Sequence, residues 1–218
     1  MKAYVTPETM STRKAAWLDE LSPYNTHRME LHRDQSALLV VDMQYFFLDP
    51  GSPTFTPGGP AVLPGIKKLL EAFRTANRPV LFTRHVHHPD LLDAGIMGWW
   101  WDGMCLEGSP ESKIHAEIAP RDGEKVIDKH RYSAFYNTDL ETVLRVLKIE
   151  DLVIAGVMTN MCVESSARDA YYRDYRVFIP ADGTGSINER MHLASLLNLA
   201  FGFAWVTDVD ELVGQISG

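Results

Sequence analysis

The 218-residue sequence predicts an α/β fold: a single-domain, three-layer α/β/α arrangement, Rossmann-like, with a parallel six-stranded sheet. Two observations predict it. Short apolar runs alternate with amphipathic segments along most of the chain, which is how βαβ units read in sequence. Those runs are continuous rather than alternating polar and apolar, as in strands buried on both faces. Crossovers between such strands are right-handed almost by rule.

Residues 1–35 read as an N-terminal extension and 36–218 as the domain. In the extension, "TPETMSTRKAAWLDEL" carries cap-like Thr6 and Ser11 among good helix formers and predicts a helix. "ALLVVDM" (37–43) is the first strand. "GGP" (58–60) is a turn, after which Ile66, Leu69, Leu70 and Phe73 share one side of a helix. "RPVLFTRH" (78–85) and, after a long excursion, "EKVIDKH" (124–130) are the second and third strands. A helix over 138–148 has Thr138 as its expected N-cap with Glu141 three residues on, a capping-box pattern. "DLVIAGVM" (151–158) is the fourth strand, followed by a helix over 163–174. "YRVFIPADG" (175–183), a helix over 188–201, "AWVTD" (204–208) and a terminal helix complete the pattern.

Composition narrows the function. A formal charge of −8 argues against a broad footprint for nucleic acid or an anionic membrane. Two cysteines, Cys105 and Cys162, are no disulfide framework and point to a reducing compartment. No apolar stretch nears the roughly 20 residues of a membrane span, and the first residues lack the apolar block of a signal peptide. The expected setting is cytoplasmic and the expected partner a small-molecule substrate.

In parallel α/β sheets, ligands bind at the carboxyl ends of strands. Those ends carry Asp42, His85, Lys129 and, one turn after the fourth strand, Cys162. Each has an ordinary reading by itself: a turn cap, a loop histidine, a solvated lysine, a small core residue. Together they place an acid, a cation and a thiol at neighbouring strand ends. A free thiol of pKa ~8.5 is only slightly ionised at neutral pH. A helix N-terminus and a nearby ammonium favour the thiolate, and an aspartate can take the thiol proton and return it to a leaving amine.

The segments "ALLVVDMQYFFLDP", "RPVLFTRH", "EKVIDKHRYSAFYNTDLETVL" and "IAGVMTNMCVESSARDAYYRDYRVFIPADG" resemble the isochorismatase-like cysteine hydrolases, in the family's order across about residues 36 to 185. That family includes nicotinamidases, carbamoylsarcosine amidases, ureido-acid and biuret hydrolases, and isochorismatase itself. The resemblance implies that Asp42 is the acid/base, Lys129 the lysine and Cys162 the nucleophile. It also implies a cis peptide at Val157–Met158, an oxyanion site from the N–H groups of Met158 and Cys162, no organic cofactor, and a dimer or tetramer of identical chains. "DMQYFFLDPGSP" and "KHRYSAFYNTDL" look most like isochorismatase proper, a vinyl-ether hydrolase typically without cysteine at the nucleophile position. Cys162 departs from that pattern. The expected activity is therefore hydrolysis of a small amide, carbamoyl or ureido C–N bond through a thioester. The alternatives are vinyl-ether hydrolysis with Asp42 as acid, or an idle binding or scaffold member.

Phe47, Tyr132 and Phe135 are expected to form an apolar wall and His85 to touch substrate at the pocket rim. No metal is expected. Some nicotinamidases hold one here through an Asp-x-His pair and further histidines, but His85 takes the Asp position, and zinc wants three or more protein ligands. Trp99, Trp100 and Trp101 cannot all face one core; a pocket mouth, a subunit interface or a folded-back surface loop would each accept some of them. Cys105 reads as structural.

Overall fold

The computed structural model describes residues 3–218. The chain begins with α1 (Met10–Leu21) and enters the sheet at β1 (Ser36–Val41). There follow α2 (Tyr45–Leu48), α3 (Gly59–Thr75), β2 (Val80–His85), α4 (Ile96–Trp100), β3 (Lys125–Lys129) and α5 (Leu140–Val146). The second half runs β4 (Asp151–Val157), α6 (Glu164–Tyr171), β5 (Arg176–Pro180), β6 (Thr184–Gly185), α7 (Glu189–Gly202), β7 (Trp205–Thr207) and α8 (Val209–Ser217). All strands pair in parallel in the order β3-β2-β1-β4-β5-β7, and β6 adds two residues beside the end of β4. The sheet thus has seven strands where six are expected. The extra one lies in the "DGTGS" loop, too short to show any periodicity in sequence.

Continuous apolar runs form these strands because both faces are covered. All six residues of β1 are buried. Leu38 and Val40 pack against α3 and α8, while Ala37, Leu39 and Val41 pack under α1, α5, α6 and α7. Val5, Trp17 and Leu21 are buried in the latter layer, so the extension is part of the core's packing although it precedes the first strand. Among the described residues no helix is long and apolar enough to cross a membrane.

Two local details differ from expectation, and a third, the tryptophan stretch, falls within the exposed placements the sequence allows. The helix expected over 138–148 starts at Leu140, with Asp139 before it, and no capping box forms. The Thr138 hydroxyl donates to Ala134 O and accepts from Leu140 N, while Glu141 pairs with Arg145 and Arg173. Here tertiary ion pairs and a tighter turn have displaced a local signal. The helix expected over 163–174 is preceded by a single π-helical turn, Thr159–Val163. The Trp99–Trp101 stretch is a short exposed helix end rather than core; Trp101 Nε1 donates to the Tyr132 hydroxyl at 2.9 Å.

Gly156 shows how closely the central strands approach. Its φ is +121°, and a Cβ there would sit 2.1 Å from Val41 O. Only glycine fits, and the close approach sets the end of β4 directly against the end of β1.

Candidate active site

β1 and β4 lie side by side, with Val41 opposite Gly156, and β1 sits where the strand order reverses. β2 separates β1 from β3, whose last residue, Lys129, stands opposite His85. The carboxyl edge therefore gathers Asp42, Thr83, His85, Lys129 and the turn that bears Cys162.

Asp42 adopts a left-handed φ of +50°, a conformation Asp tolerates better than most residues. The kink ends the strand. The carboxylate is fully buried: Oδ1 accepts from Thr83 Oγ1 at 2.6 Å, and Oδ2 lies 2.7 Å from Lys129 Nζ. Lys129 is equally buried. Its ammonium also donates to Arg131 O at 3.0 Å and lies 3.3 Å from His85 Nδ1. Burial pushes the Lys129 pKa down, but the charge of Asp42 and the neighbouring Cys162 outweigh it, and the net shift is upward. A buried charge is tolerable only with such pairing.

Cys162 sits in the π-helical turn after β4 and is buried beside both groups. Its peptide carbonyl accepts from Ser166 Oγ at 2.6 Å, and the same hydroxyl accepts from Ala134 N at 2.9 Å, tying the turn to the loop after Lys129. Thr159, at the start of the turn, is anchored by His192 Nδ1 at 2.9 Å and through its carbonyl by Ser195. The Val157–Met158 peptide that leads into the turn is cis.

The sequence reading names groups that favour the thiolate; burial works against them. Desolvation raises the Cys162 pKa to about 12; Lys129 pulls it down, and the charge of Asp42 pushes it up again. Burial thus favours the thiol form of Cys162 beside Asp42. The sign yields a test. In Asp42→Asn the negative charge is gone and Lys129 remains, so the Cys162 pKa falls. Alkylation by iodoacetamide near pH 8 is expected to speed up in that variant, while catalysis is lost; unchanged or slower alkylation would contradict the assigned electrostatics.

The other expected residues are placed as follows. Phe47 is buried with its ring 6.5 Å from that of His85, beside the cluster. Tyr132 is half-buried and held by Trp101. Phe135 stacks on Tyr175, which precedes β5 at the amino edge of the sheet, and lies under the Arg173 guanidinium; those contacts give no support to a place at the substrate. Cys105 is buried, accepts from Gln44 Nε2 at 3.5 Å, and has its pKa raised to about 12, chiefly by burial.

Two residues escaped the sequence reading. Thr83 reads as an ordinary β-branched strand residue. Gln44 is buried and clamps three segments: Oε1 accepts from His85 N at 2.7 Å, and Nε2 donates to His85 O and Ser112 O. Its signal in sequence is the Gln two residues after Asp42 in the segment "ALLVVDMQYFFLDP".

Two sets of possible metal donors converge to within 4.8 Å among the described residues: Asp42, His85 and Cys162, and His87, Asp93 and His130. In the first, the carboxylate is taken up by Lys129 and Thr83. In the second, His130 Nδ1 lies 2.7 Å from Val86 O, where it donates, so only its Nε2 has a lone pair to offer.

A doubly wound parallel sheet with ionisable groups gathered at its carboxyl edge belongs to the open-sheet α/β enzymes. Within that class the chain belongs to the isochorismatase family of hydrolases: the family model of the Isochorismatase domain matches residues 36–211. The chain is 36% identical over 198 residues to Nicotinamidase 3 of Arabidopsis thaliana, covering 89% of this chain and 96% of that one. It is 30% identical over 217 residues to a ureidoacrylate amidohydrolase of Variovorax paradoxus, covering 89% and 86%. The crystal structure of a cysteine hydrolase from Pseudomonas syringae pv. phaseolicola superposes with a TM-score of 0.84 at 29% identity, covering 87% of this chain and 95% of that one.

Proposed function

We propose that this protein hydrolyses a C–N bond of a small amide, carbamoyl or ureido compound, with Cys162 as nucleophile. The observation that carries this reading is the 2.7 Å contact between Lys129 Nζ and Asp42 Oδ2, both fully buried, with the Cys162 thiol beside them.

Asp42 takes the thiol proton as sulfur attacks the carbonyl carbon. The transfer exchanges carboxylate and thiol for carboxylic acid and thiolate, so the net charge of the cluster, Lys129 included, stays zero. Lys129 supplies the counter-charge in both states, which spares the buried site an unpaired ion. The N–H groups of Met158 and Cys162 receive the developing oxyanion; donors fixed beforehand in a dry site are the strongest form of such assistance. The tetrahedral adduct collapses as Asp42 gives its proton to the leaving nitrogen, leaving an acyl or carbamoyl thioester. Water then attacks the thioester, Asp42 accepts a proton from it, and that proton returns to the thiolate as the acid leaves.

Both named relatives, a nicotinamidase and a ureidoacrylate amidohydrolase, act on small C–N compounds by name, which supports the substrate class. The test is a screen for ammonia release from nicotinamide, ureidoacrylate, N-carbamoyl amino acids and simple amides. It is paired with acid quenching and peptide mass analysis. Ammonia release with an acyl adduct on the Cys162 peptide is the expected result. Turnover on vinyl ethers alone, with no adduct, would overturn the proposal.

A further inference from the structure

Behind Lys129 runs a second line of titratable groups that the proposed chemistry does not use. Lys129 Nζ lies 3.3 Å from His85 Nδ1; His85 Nε2 lies 3.1 Å from His87 Nε2; His87 Nδ1 lies 3.0 Å from Asp93 Oδ1. His87 is fully buried and His85 nearly so, whereas the Asp93 side chain is 25% exposed. The line thus leads from the interior of the cluster to the surface.

With both rings neutral, one assignment of protons satisfies every contact. An ammonium can only donate, so His85 Nδ1 accepts and the ring's proton sits on Nε2. That proton points at His87 Nε2, which must accept, leaving the His87 proton on Nδ1 and aimed at the Asp93 carboxylate. The electrostatics agree with neutral rings. Burial, reinforced by the charge of Lys129, holds His85 well below the usual imidazole range, and burial lowers His87 as well against the pull of Asp93. Asp93 is itself fixed as the acceptor: its carboxylate receives His88 N and lies 3.2 Å from His130 Nδ1, and its backbone oxygen receives Arg131 Nη1. The charged or titratable groups facing the two rings are Lys129 at the end of β3, His130 and Arg131 just after it, Asp42 after β1, Cys162 in the turn after β4, and Asp93 from their own loop.

We propose that His85, His87 and Asp93 are positioning residues: a polarised relay that orients the Lys129 ammonium onto Asp42 and couples this buried cation to a surface carboxylate. Its consequence for turnover rests on the proposed function; its existence does not. The directed line works because each imidazole donates at one nitrogen and accepts at the other, so a carboxylate at the far end selects the tautomer at the near end. His85 and His87, two apart at the end of β2 and just past it, both belong to it because side chains at i and i+2 of an extended segment share a face.

The full chain labelled with 15N-histidine provides the test. At pH 7.5 His85 is expected to carry its proton on Nε2 and His87 on Nδ1. In Asp93→Ala, His87 is expected to lose that preference and the shift pattern of His85 to change with it; Asp93→Glu is expected to restore both. Because Lys129 lowers the Cys162 pKa, loosening it should slow iodoacetamide alkylation of Cys162. About a tenfold loss is expected in Asp93→Ala, the scale on which such outer hydrogen-bond partners act, with recovery in Asp93→Glu. A His85 proton on Nδ1, or ring shifts and alkylation untouched by Asp93→Ala, overturns the relay. Neither readout needs a substrate, so failure to find amide turnover counts against the proposed function alone.

Discussion

Cys162→Ala is expected to abolish ammonia release from any amide the protein cleaves, by about 10⁴-fold or more in kcat, the scale seen when a covalent nucleophile is removed. Cys162→Ser is expected to be nearly as impaired, because a hydroxyl is a much weaker nucleophile at the same place. Substrate binding should survive, since the alanine side chain removes one atom without adding a charge or a clash. The fold should survive too: a sulfur deleted from a buried site leaves a space smaller than a Leu→Ala cavity. Steady-state kinetics with circular dichroism separates these effects. The same variant divides the thioester route from acid-driven ether cleavage, in which Asp42 protonates the substrate and the thiol is a bystander. Full turnover retained by Cys162→Ala would end the thioester mechanism.

Lys129→Met is expected to give the largest loss of stability. It leaves Asp42 buried with a single hydrogen-bond partner and no counter-charge, and breaking a buried pair from one side typically costs about 3–5 kcal/mol. For a chain of this size that corresponds to a fall of roughly 10 °C in melting temperature. Adding Asp42→Asn removes the orphaned charge, so the double variant should melt above Lys129→Met alone while both remain inactive. Thermal melts at pH 7.5 decide it, and a double variant no more stable than the single one would refute a paired buried charge. The pH is chosen by sign. Lys129 has its pKa raised in the folded protein, so its contribution is complete below the ordinary lysine pKa and is lost only as pH rises through the higher folded value.

The legible part of this protein was whatever depends on local pattern. "ALLVVDM" and "DLVIAGVM" read as doubly buried strands because every residue is apolar, and burial on both faces is what the structure shows for β1 and β4. Asn188 reads as the start of a helix, and its side chain caps α7 by accepting from Met191 N. The expected cap at Thr138 failed because Glu141 found Arg173, a partner 32 residues away that no local pattern reveals. The roles of Thr83 and Gln44 were hidden for a related reason. Thr83 meets Asp42 from the neighbouring strand, Gln44 takes its partners from β2 and the 105–112 loop, and their residue types are ordinary for a strand and a turn.

The sequence by itself determined the sheet, the order of its elements and the candidates Asp42, Lys129 and Cys162, since alternating buried runs force parallel strands and parallel strands expose their carboxyl ends as a site. Tertiary structure alone decided how those candidates meet. Strand order put Lys129 across β2 from Asp42 at 2.7 Å. Burial set the Cys162 thiol against the thiolate-favouring neighbours that the sequence offers. Register, with His85 opposite Lys129, lined the histidines up toward Asp93. Desolvation and through-space charge depend on which residues meet, and that information is held in the packing of distant segments rather than in any one of them.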